Sequence, residues 1–322
     1  RAFYVDLSSP VITNNQSSPT GWYTADPGAV FDVDFADLAS GLTTAQYRIS
    51  AAAGGGTVLK DWTDIYSNWL GTPAYTNNWA VDFAALNDGL NFVSVRGFDR
   101  VPLSSAVDAF VIRKDTTAPF VVNNQAGDNN WRSAPGALYN VDFADLASGI
   151  ATAQYLITSQ PLGAGAVLKA WTDIVTATST ALYSPDWGID FSALAEAATN
   201  YVSVRAYDLT GKTTTYYDAF HVLKDTSTPA ITDNQPDDNW RFADPGAVYD
   251  VDFADAGGSK LNRAQYSISS SPVLADGGVK SWTDIAVNIS SNGYDQNWAV
   301  DFAAEQAGIN YVSVRAYDYA GN

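Results

Sequence analysis

The sequence predicts an all-β protein made of three tandem antiparallel β-sandwich domains. Three observations support this fold class. Long segments recur three times with a period of about 110 residues. Within each copy, short segments alternate apolar and polar residues, and Gly-, Pro- and Asp-rich turns separate them. A repeat of this length is too long for one solenoid turn, so each copy is expected to build its own core.

The repetition covers nearly the whole chain. The recurring segments are FDVDFADLASG (31–41, 139–149, 249–259), AQY (45–47, 153–155, 264–266), WTDI (62–65, 171–174, 282–285), NWAVDF (78–83, 186–191, 297–302) and NFVSVRGFD (91–99, 200–208, 310–318), each with small variations. We therefore predict a strand G-like segment and linker at 1–8, and domains at 9–115, 116–225 and 226–322. The chain stops soon after the last NYVSVRAYD segment, so the third domain is expected to lack its own final strand.

Each element of the sandwich can be assigned in the second copy from its alternation. We predict strands A near 119–124, B at 137–146, C at 153–158, a following strand that starts at 171–175, E at 186–194, F at 200–208 and G at 216–225. About seven short strands without a long amphipathic helix are typical of a β-sandwich.

Three motifs of this copy resemble a known family. KDTTAP (114–119), DLASGI (145–150) and NYVSVRAYDLTG (200–211) are similar to the bacterial Ig-like repeats of secreted and cell-surface proteins, which share the fibronectin type III topology. The resemblance implies an Ig-like sandwich at the cell surface or outside a bacterial cell. It also implies a role as stalk, spacer, adhesin segment or filament subunit.

Composition excludes several functions. The net charge is −18, which argues against nucleic acid as a partner because phosphate binding needs Lys and Arg. The chain has no Cys, and therefore no disulfide or thiolate metal site, and no apolar run long enough to span a membrane. His221 is the only His, and Val111 takes its place in the first copy, so we expect no catalytic triad and no enzyme activity.

The acidic residues are the best candidates for a site. Only Glu196 and Glu305 are Glu, and every other acidic residue is Asp, which favours turns and oxygen-rich cation sites. In an Ig-type sandwich, the chain entrance, the B–C loop and the F–G loop lie at one end. One Asp of each copy falls at each of these places: Asp6, Asp37 and Asp99; Asp115, Asp145 and Asp208; Asp225, Asp255 and Asp318.

Two interpretations of these aspartates stay open. Each could cap its own turn through local hydrogen bonds. Alternatively, the three carboxylates of a copy could hold Ca²⁺ at a domain junction, since two of them about 5 Å apart repel by roughly 3 kcal/mol at an effective dielectric constant of 20.

Tryptophan offers a second kind of candidate. Trp79, Trp187 and Trp298 share strand parity with Val and Phe, so we expect them in the core, and Trp22, Trp131 and Trp240 are expected to pack at the rim. Trp69 has no counterpart in the other copies and is the best candidate for an exposed ligand contact, such as a sugar ring.

The start of the chain resembles the end of a domain. Ala2, Phe3, Tyr4 and Val5 align with Ala109, Phe110 and the strand that leads to Asp115. The third domain shows the complementary gap. The chain is then either a stretch of a longer array of repeats, or a subunit that donates this strand to the third domain of a neighbour in a head-to-tail filament. Its expected partners are accordingly further repeats or other copies of itself.

These observations favour a non-catalytic structural protein of an extracellular stalk, sheath or filament. The alternative is an adhesin or the carbohydrate-binding spacer of a larger secreted protein.

Overall fold

The computed structural model describes residues 1–16, 21–125, 129–235, 239–273 and 278–322. Antiparallel strands dominate this part of the chain, which confirms the all-β prediction. Three single-turn 3-10 helices occur, Phe83–Ala85, Phe191–Ala193 and Phe302–Ala304, at the same place in each copy. The strands form six sheets, two for each copy, and the apolar residues between each pair of sheets form three separate cores.

The first copy pairs a three-stranded with a four-stranded sheet. Its strands are β1 (Val11–Asn14), β2 (Val33–Ala36), β3 (Leu42–Ala52), β4 (Gly55–Thr72), β5 (Ala74–Tyr75), β6 (Gly89–Asp99) and β7 (Ser104–Lys114). The orders are β1-β2-β5 and β4-β3-β6-β7. Strand G of the prediction is β7, and it lies at the edge of the larger sheet beside β6, the predicted strand F.

The second copy repeats this arrangement with one additional strand. Its strands are β8 (Phe120–Asn123), β9 (Trp131–Arg132), β10 (Val141–Ala144), β11 (Ile150–Thr158), β12 (Val167–Thr180), β13 (Leu182–Tyr183), β14 (Ala198–Asp208) and β15 (Thr213–Lys224). The orders are β13-β10-β8 and β12-β11-β14-β15-β9. The predicted strands A, B, C, F and G are thus present as β8, β10, β11, β14 and β15.

In the third copy, the sheet that corresponds to the larger sheet of the other copies has only three described strands. The strands of this copy are β16 (Ala230–Asp233), β17 (Val251–Ala254), β18 (Leu261–Ser269), β19 (Gly278–Val287), β20 (Gly293–Tyr294) and β21 (Tyr311–Asp318), in the orders β16-β17-β20 and β19-β18-β21. In the described residues, β21 therefore has a partner on one side only, where β6 and β14 each have two.

A stacked Tyr–Trp pair recurs in the core of each copy. Tyr155 and Trp187 have ring centroids 5.7 Å apart, and the corresponding distances are 5.5 Å for Tyr47–Trp79 and 5.4 Å for Tyr266–Trp298. Trp79, Trp187 and Trp298 are all buried, which confirms the prediction that they face the core.

The predicted strand E is wrong as a strand. Trp187 makes one isolated antiparallel bridge with Tyr139, after which the chain turns into the 3-10 helix. Asp190 caps this helix, with its Oδ1 accepting from the backbone N–H of Ser192 at 3.1 Å and its Oδ2 from Lys169 Nζ at 2.7 Å. The hydrogen bonds from Lys169 and Ser192 lower the pKa of Asp190 to about 2. The alternation of apolar and polar residues at 186–191 reflects burial of one side of this segment. Strand pairing does not continue beyond Trp187, because the chain turns into the capped 3-10 helix.

The rim tryptophans differ between copies. Trp131 lies in β9, which runs parallel to the end of β15, and Trp22 is likewise half-buried. Trp240 is 83% exposed, so the prediction that it packs at the rim is wrong. The physical reason is that the described residues of the third copy include no strand equivalent to β15 for it to lie against.

Candidate metal centres

All nine predicted aspartates are brought into three triads. In each triad, one ligand atom from every member lies within 4.8 Å of the others, and the triads are Asp6, Asp37 and Asp99; Asp115, Asp145 and Asp208; and Asp225, Asp255 and Asp318. The strand geometry accounts for this. One member follows the middle strand of the smaller sheet, one ends strand F, and one lies in the segment that enters the copy.

The second and third triads lie where consecutive copies meet. Asp115 directly follows β7 of the first copy, and Asp225 directly follows β15 of the second. Contact across the second of these boundaries is close, because a Cβ added to Gly258 would lie 3.0 Å from Trp131 and 3.0 Å from Ala197. Each of these two triads therefore joins the linker to two loops of the copy that follows.

Turn capping occupies one oxygen of most of these carboxylates. In the second triad, Asp145 Oδ1 accepts from the backbone N–H groups of Ala147 and Gly149, and Asp208 Oδ1 from those of Thr210 and Lys212. The distances run from 2.7 to 3.1 Å. Local capping is therefore real, but it leaves the second oxygen of the carboxylate available.

Several of these second oxygens are buried without a partner. Asp115 Oδ2 and Asp208 Oδ2 in the second triad, and Asp99 Oδ2 in the first, are buried and accept no hydrogen bond from any residue that the structure describes. The three residues are 0%, 2% and 3% exposed. An unpartnered charged oxygen removed from water is strongly unfavourable unless a cation satisfies it.

In the third triad, hydrogen bonds from the protein reach the second oxygens of the carboxylates. Asp225 Oδ2 accepts from the backbone N–H of Ser259 at 2.9 Å, and Asp318 Oδ2 accepts from the side-chain amide of Asn322 at 2.9 Å. Gly257 makes room for this arrangement, since a Cβ there would lie 1.9 Å from Asp225 Oδ1.

The first triad differs in its linker residue. Asp6 is half-buried, and Asp6 Oδ2 accepts from the backbone N–H of Ser40 at 3.0 Å. Hydrogen bonds from Ser40 and Ser8 lower the pKa of the Asp6 carboxyl to about 2, so this member is ionised at neutral pH.

The donor chemistry of the triads fits a hard divalent cation. None of the Lys–carboxylate or Arg–carboxylate pairs within 4.0 Å in the described ranges involves a triad aspartate. Three clustered carboxylates that form no ion pair with a described Lys or Arg match the oxygen-rich coordination that Ca²⁺ takes. Calcium binding itself stays a prediction.

Sequence reasoning missed the residue four positions after the strand F aspartate. This residue is Leu103, Lys212 or Asn322 in the three copies, and its backbone N–H donates to the strand F Asp in each. The only signal is its position in the F–G turn, because its identity varies.

The outer face of each larger sheet carries a recurrent contact that uses the WTDI tryptophans. Arg205 lies 4.2 Å from the ring centroid of Trp171 and donates through Nε to Gln154 at 2.7 Å. Its counterparts are Arg96 over Trp62 and Arg315 over Trp282, each at 4.1 Å. Cation–π stacking of this kind stabilises the sheet surface.

Trp69 stands apart from these contacts. It lies near the end of β4, is 78% exposed, and is followed by Leu70, which is 56% exposed. The exposure is as predicted, and a ligand contact there remains a prediction.

Among the described residues, no helix is long and apolar enough to span a membrane. No family model and no curated protein matches the chain.

Solved structures of extracellular repeats do show similarity. A tetra-tandem repeat from the extending region of a large adhesion protein is 17% identical, with a TM-score of 0.33 over 98% of this chain and 71% of that one. Part of a 1.5-MDa bacterial ice-binding adhesin is also 17% identical, with a TM-score of 0.33 over 98% and 95%. Human CDH23 EC21-23 is 12% identical, with a TM-score of 0.40 over 95% and 99%. Repeats of bacterial cell-surface proteins, such as these adhesin segments, are what the sequence motifs resemble.

At the second triad, we predict that the loss of one carboxylate stabilises the folded protein. In excess chelator, Asp208→Asn is expected to stabilise the protein by about 1–3 kcal/mol, because it removes one like charge while the amide oxygen can still cap the turn. Chemical denaturation measures the change. The control is Asp186→Asn, an exposed aspartate outside the triads, for which we expect no change. A destabilised Asp208→Asn protein would show that the carboxylates do not repel one another.

Proposed function

We propose that this chain is a non-catalytic structural segment of an extracellular stalk, sheath or filament, in which Ca²⁺ at the aspartate triads stiffens the boundaries between copies. The observation that carries the proposal is the set of buried carboxylate oxygens without hydrogen-bond partners at the first and second triads.

A cation at a triad acts as a clamp. The linker aspartate and the two loop aspartates come from three separate segments, so a shared ion ties the linker to the copy that follows. Without an ion, mutual repulsion pushes the linker away and lets the boundary bend. Calcium sites of extracellular modules are tuned to about 10⁻⁴–10⁻³ M, which suits a protein that works outside the cell.

Composition supports the same setting. The chain is strongly acidic and lacks Cys, and it consists almost entirely of one repeated unit. A high net charge keeps an extended array soluble and free of nonspecific association. A bacterial origin follows only from the resemblance of its motifs. The expected partners are further repeats or other copies of the chain.

Calcium is expected to stabilise the intact protein. About 1 mM CaCl₂ should raise Tm by several degrees over that in excess EDTA, because the ion binds the folded state only. A variant that carries Asp37→Asn, Asp145→Asn and Asp255→Asn together should lose this response. Differential scanning calorimetry measures both. Identical melts of the unsubstituted protein in calcium and in EDTA would contradict the proposal.

The third copy offers an acceptor for strand donation. Val312 in β21 is 38% exposed, whereas its counterparts Val93 and Val202, which pair with β7 and β15, are buried. Trp240, the counterpart of Trp131 in β9, and Phe242 are 83% and 101% exposed. An added strand would lie between β21 and Trp240, as β15 lies between β14 and β9.

We assign residues 1–5 of a second copy of the chain to this position. Phe3, Tyr4 and Val5 are 86%, 96% and 64% exposed, and no strand is formed by residues 1–10. In the alignment of Phe3 with Phe110, Phe3 occupies the position of Phe220, which packs against the core of the second copy, and Asp6 follows the donated strand as Asp225 follows β15. The first triad would then lie at the boundary between subunits, and every boundary of the filament would have the same construction.

The register of this strand can be tested with two adjacent substitutions. Phe3→Asp places a charge in the core of the acceptor and should abolish head-to-tail assembly, whereas Tyr4→Asp, on the outward side, should leave it intact. Negative-stain electron microscopy and sedimentation velocity in calcium report the filaments. Assembly that survives Phe3→Asp, or a chain that stays monomeric, would rule out donation by this segment.

The alternative function is that of an adhesin or a carbohydrate-binding spacer, and Trp69 is the observation that favours it. Its exposed ring beside Leu70 forms an apolar surface that a sugar ring could stack on. On a glycan array, specific binding that is lost in Trp69→Ala and kept in Trp22→Ala would support this function. Filaments together with an array that shows no specific binding would support the structural one.

A further inference from the structure

The residue that follows the strand F aspartate by four positions distinguishes the three triads. Asp208 and Lys212 exchange two hydrogen bonds: the N–H of Asp208 donates to the Lys212 carbonyl, and the N–H of Lys212 donates to Asp208 Oδ1. The same reciprocal pair joins Asp99 to Leu103 and Asp318 to Asn322. The three side chains therefore start from equivalent places in the F–G turn.

Two of these side chains reach the linker. Lys212 Nζ donates to the backbone carbonyl of Asp115 at 2.7 Å and to Thr210 Oγ1 at 2.9 Å. Asn322 donates through its side-chain amide to the backbone carbonyl of Asp225, also at 2.9 Å. The apolar side chain of Leu103 can make no such bond.

Lys212 brings a positive charge to the triad without neutralising it. The ammonium contacts a carbonyl of the triad and a neighbouring hydroxyl, and it forms no ion pair within 4.0 Å with Asp115, Asp145 or Asp208, all of which are described. The Oδ2 atoms of Asp115 and Asp208 stay without partners. The second triad therefore still has carboxylate oxygens available to bind a cation. The nearby ammonium of Lys212 weakens that binding by electrostatic repulsion.

We propose that Lys212 makes the second triad a weaker calcium site than the first and holds the linker to the F–G turn when no ion is bound. The proposal rests on calcium binding at the triads, as proposed above. A unit positive charge about 6 Å from the ion lowers its affinity by on the order of tenfold or more. The first triad carries the neutral Leu103 at this position. The second triad would then release calcium before the first as its concentration falls.

Isothermal titration of the whole chain with CaCl₂ tests the order of the sites. We expect the second triad to bind calcium on the order of tenfold more weakly than the first. Lys212→Asn, which introduces the residue that the third copy carries, should give the second triad the affinity of the first, and Asp208→Asn should remove this weak site. The matched control is Lys169→Asn, which removes the same charge from the same copy but takes it from Asp190, and it should leave the weak site unchanged.

The outcomes separate this proposal from the one it rests on. Equal affinities of the first and second triads in the unsubstituted chain, or equal effects of Lys212→Asn and Lys169→Asn, would overturn the role of Lys212 while calcium binding stands. A titration with no binding at any site would overturn calcium binding itself.

The linker contact has a separate readout in excess EDTA. There, Lys212→Leu, which introduces the residue of the first copy, should speed amide hydrogen exchange at residues 115–118 by at least several-fold, because the linker loses its bond to the F–G turn. Exchange as slow as in the unsubstituted chain would overturn the linker contact.

Discussion

Repulsion among three carboxylates, confined where they cannot turn away into water, is the constraint on which the copy boundaries depend. The confinement comes from ordinary turn chemistry, because Asp145 and Asp208 each spend one oxygen on two backbone N–H groups. Those bonds fix the orientation of the carboxylate and direct the other oxygen towards its neighbours. Capping and cation binding are therefore two uses of one side chain, and the turns that shape the loops also assemble the site.

This dual use explains why the sequence could identify the triads but could not choose between the two interpretations. The repeat places an Asp at the end of strand B, at the end of strand F and in the linker, and the sandwich topology brings those places together. Which oxygen is satisfied depends on distances of a few tenths of an ångström within the turns. No pattern of residue types contains that information.

The fold was likewise predictable from residue types in some places and not in others. Alternation of apolar and polar residues located β10, β11, β14 and β15, since each of those strands contributes apolar residues of one face to the core. It failed at 186–194, because a single bridge at Trp187 followed by a capped 3-10 helix buries the same residues as a strand would. It also missed β9, whose two residues pair with the edge of a sheet and carry no periodic signal.

The parallel pairing of β9 with β15 has a mechanical consequence for an array of such copies. β9 lies near the start of its copy and β15 at the end, and the two strands run in the same direction. A pull on the two ends of the copy would draw these strands past each other along their length, so that their hydrogen bonds resist in shear and must fail together. The bridge between Tyr23 and Lys114 has the same direction in the first copy. Placed under tension, each of these two copies would resist extension at the point where the chain enters and leaves it.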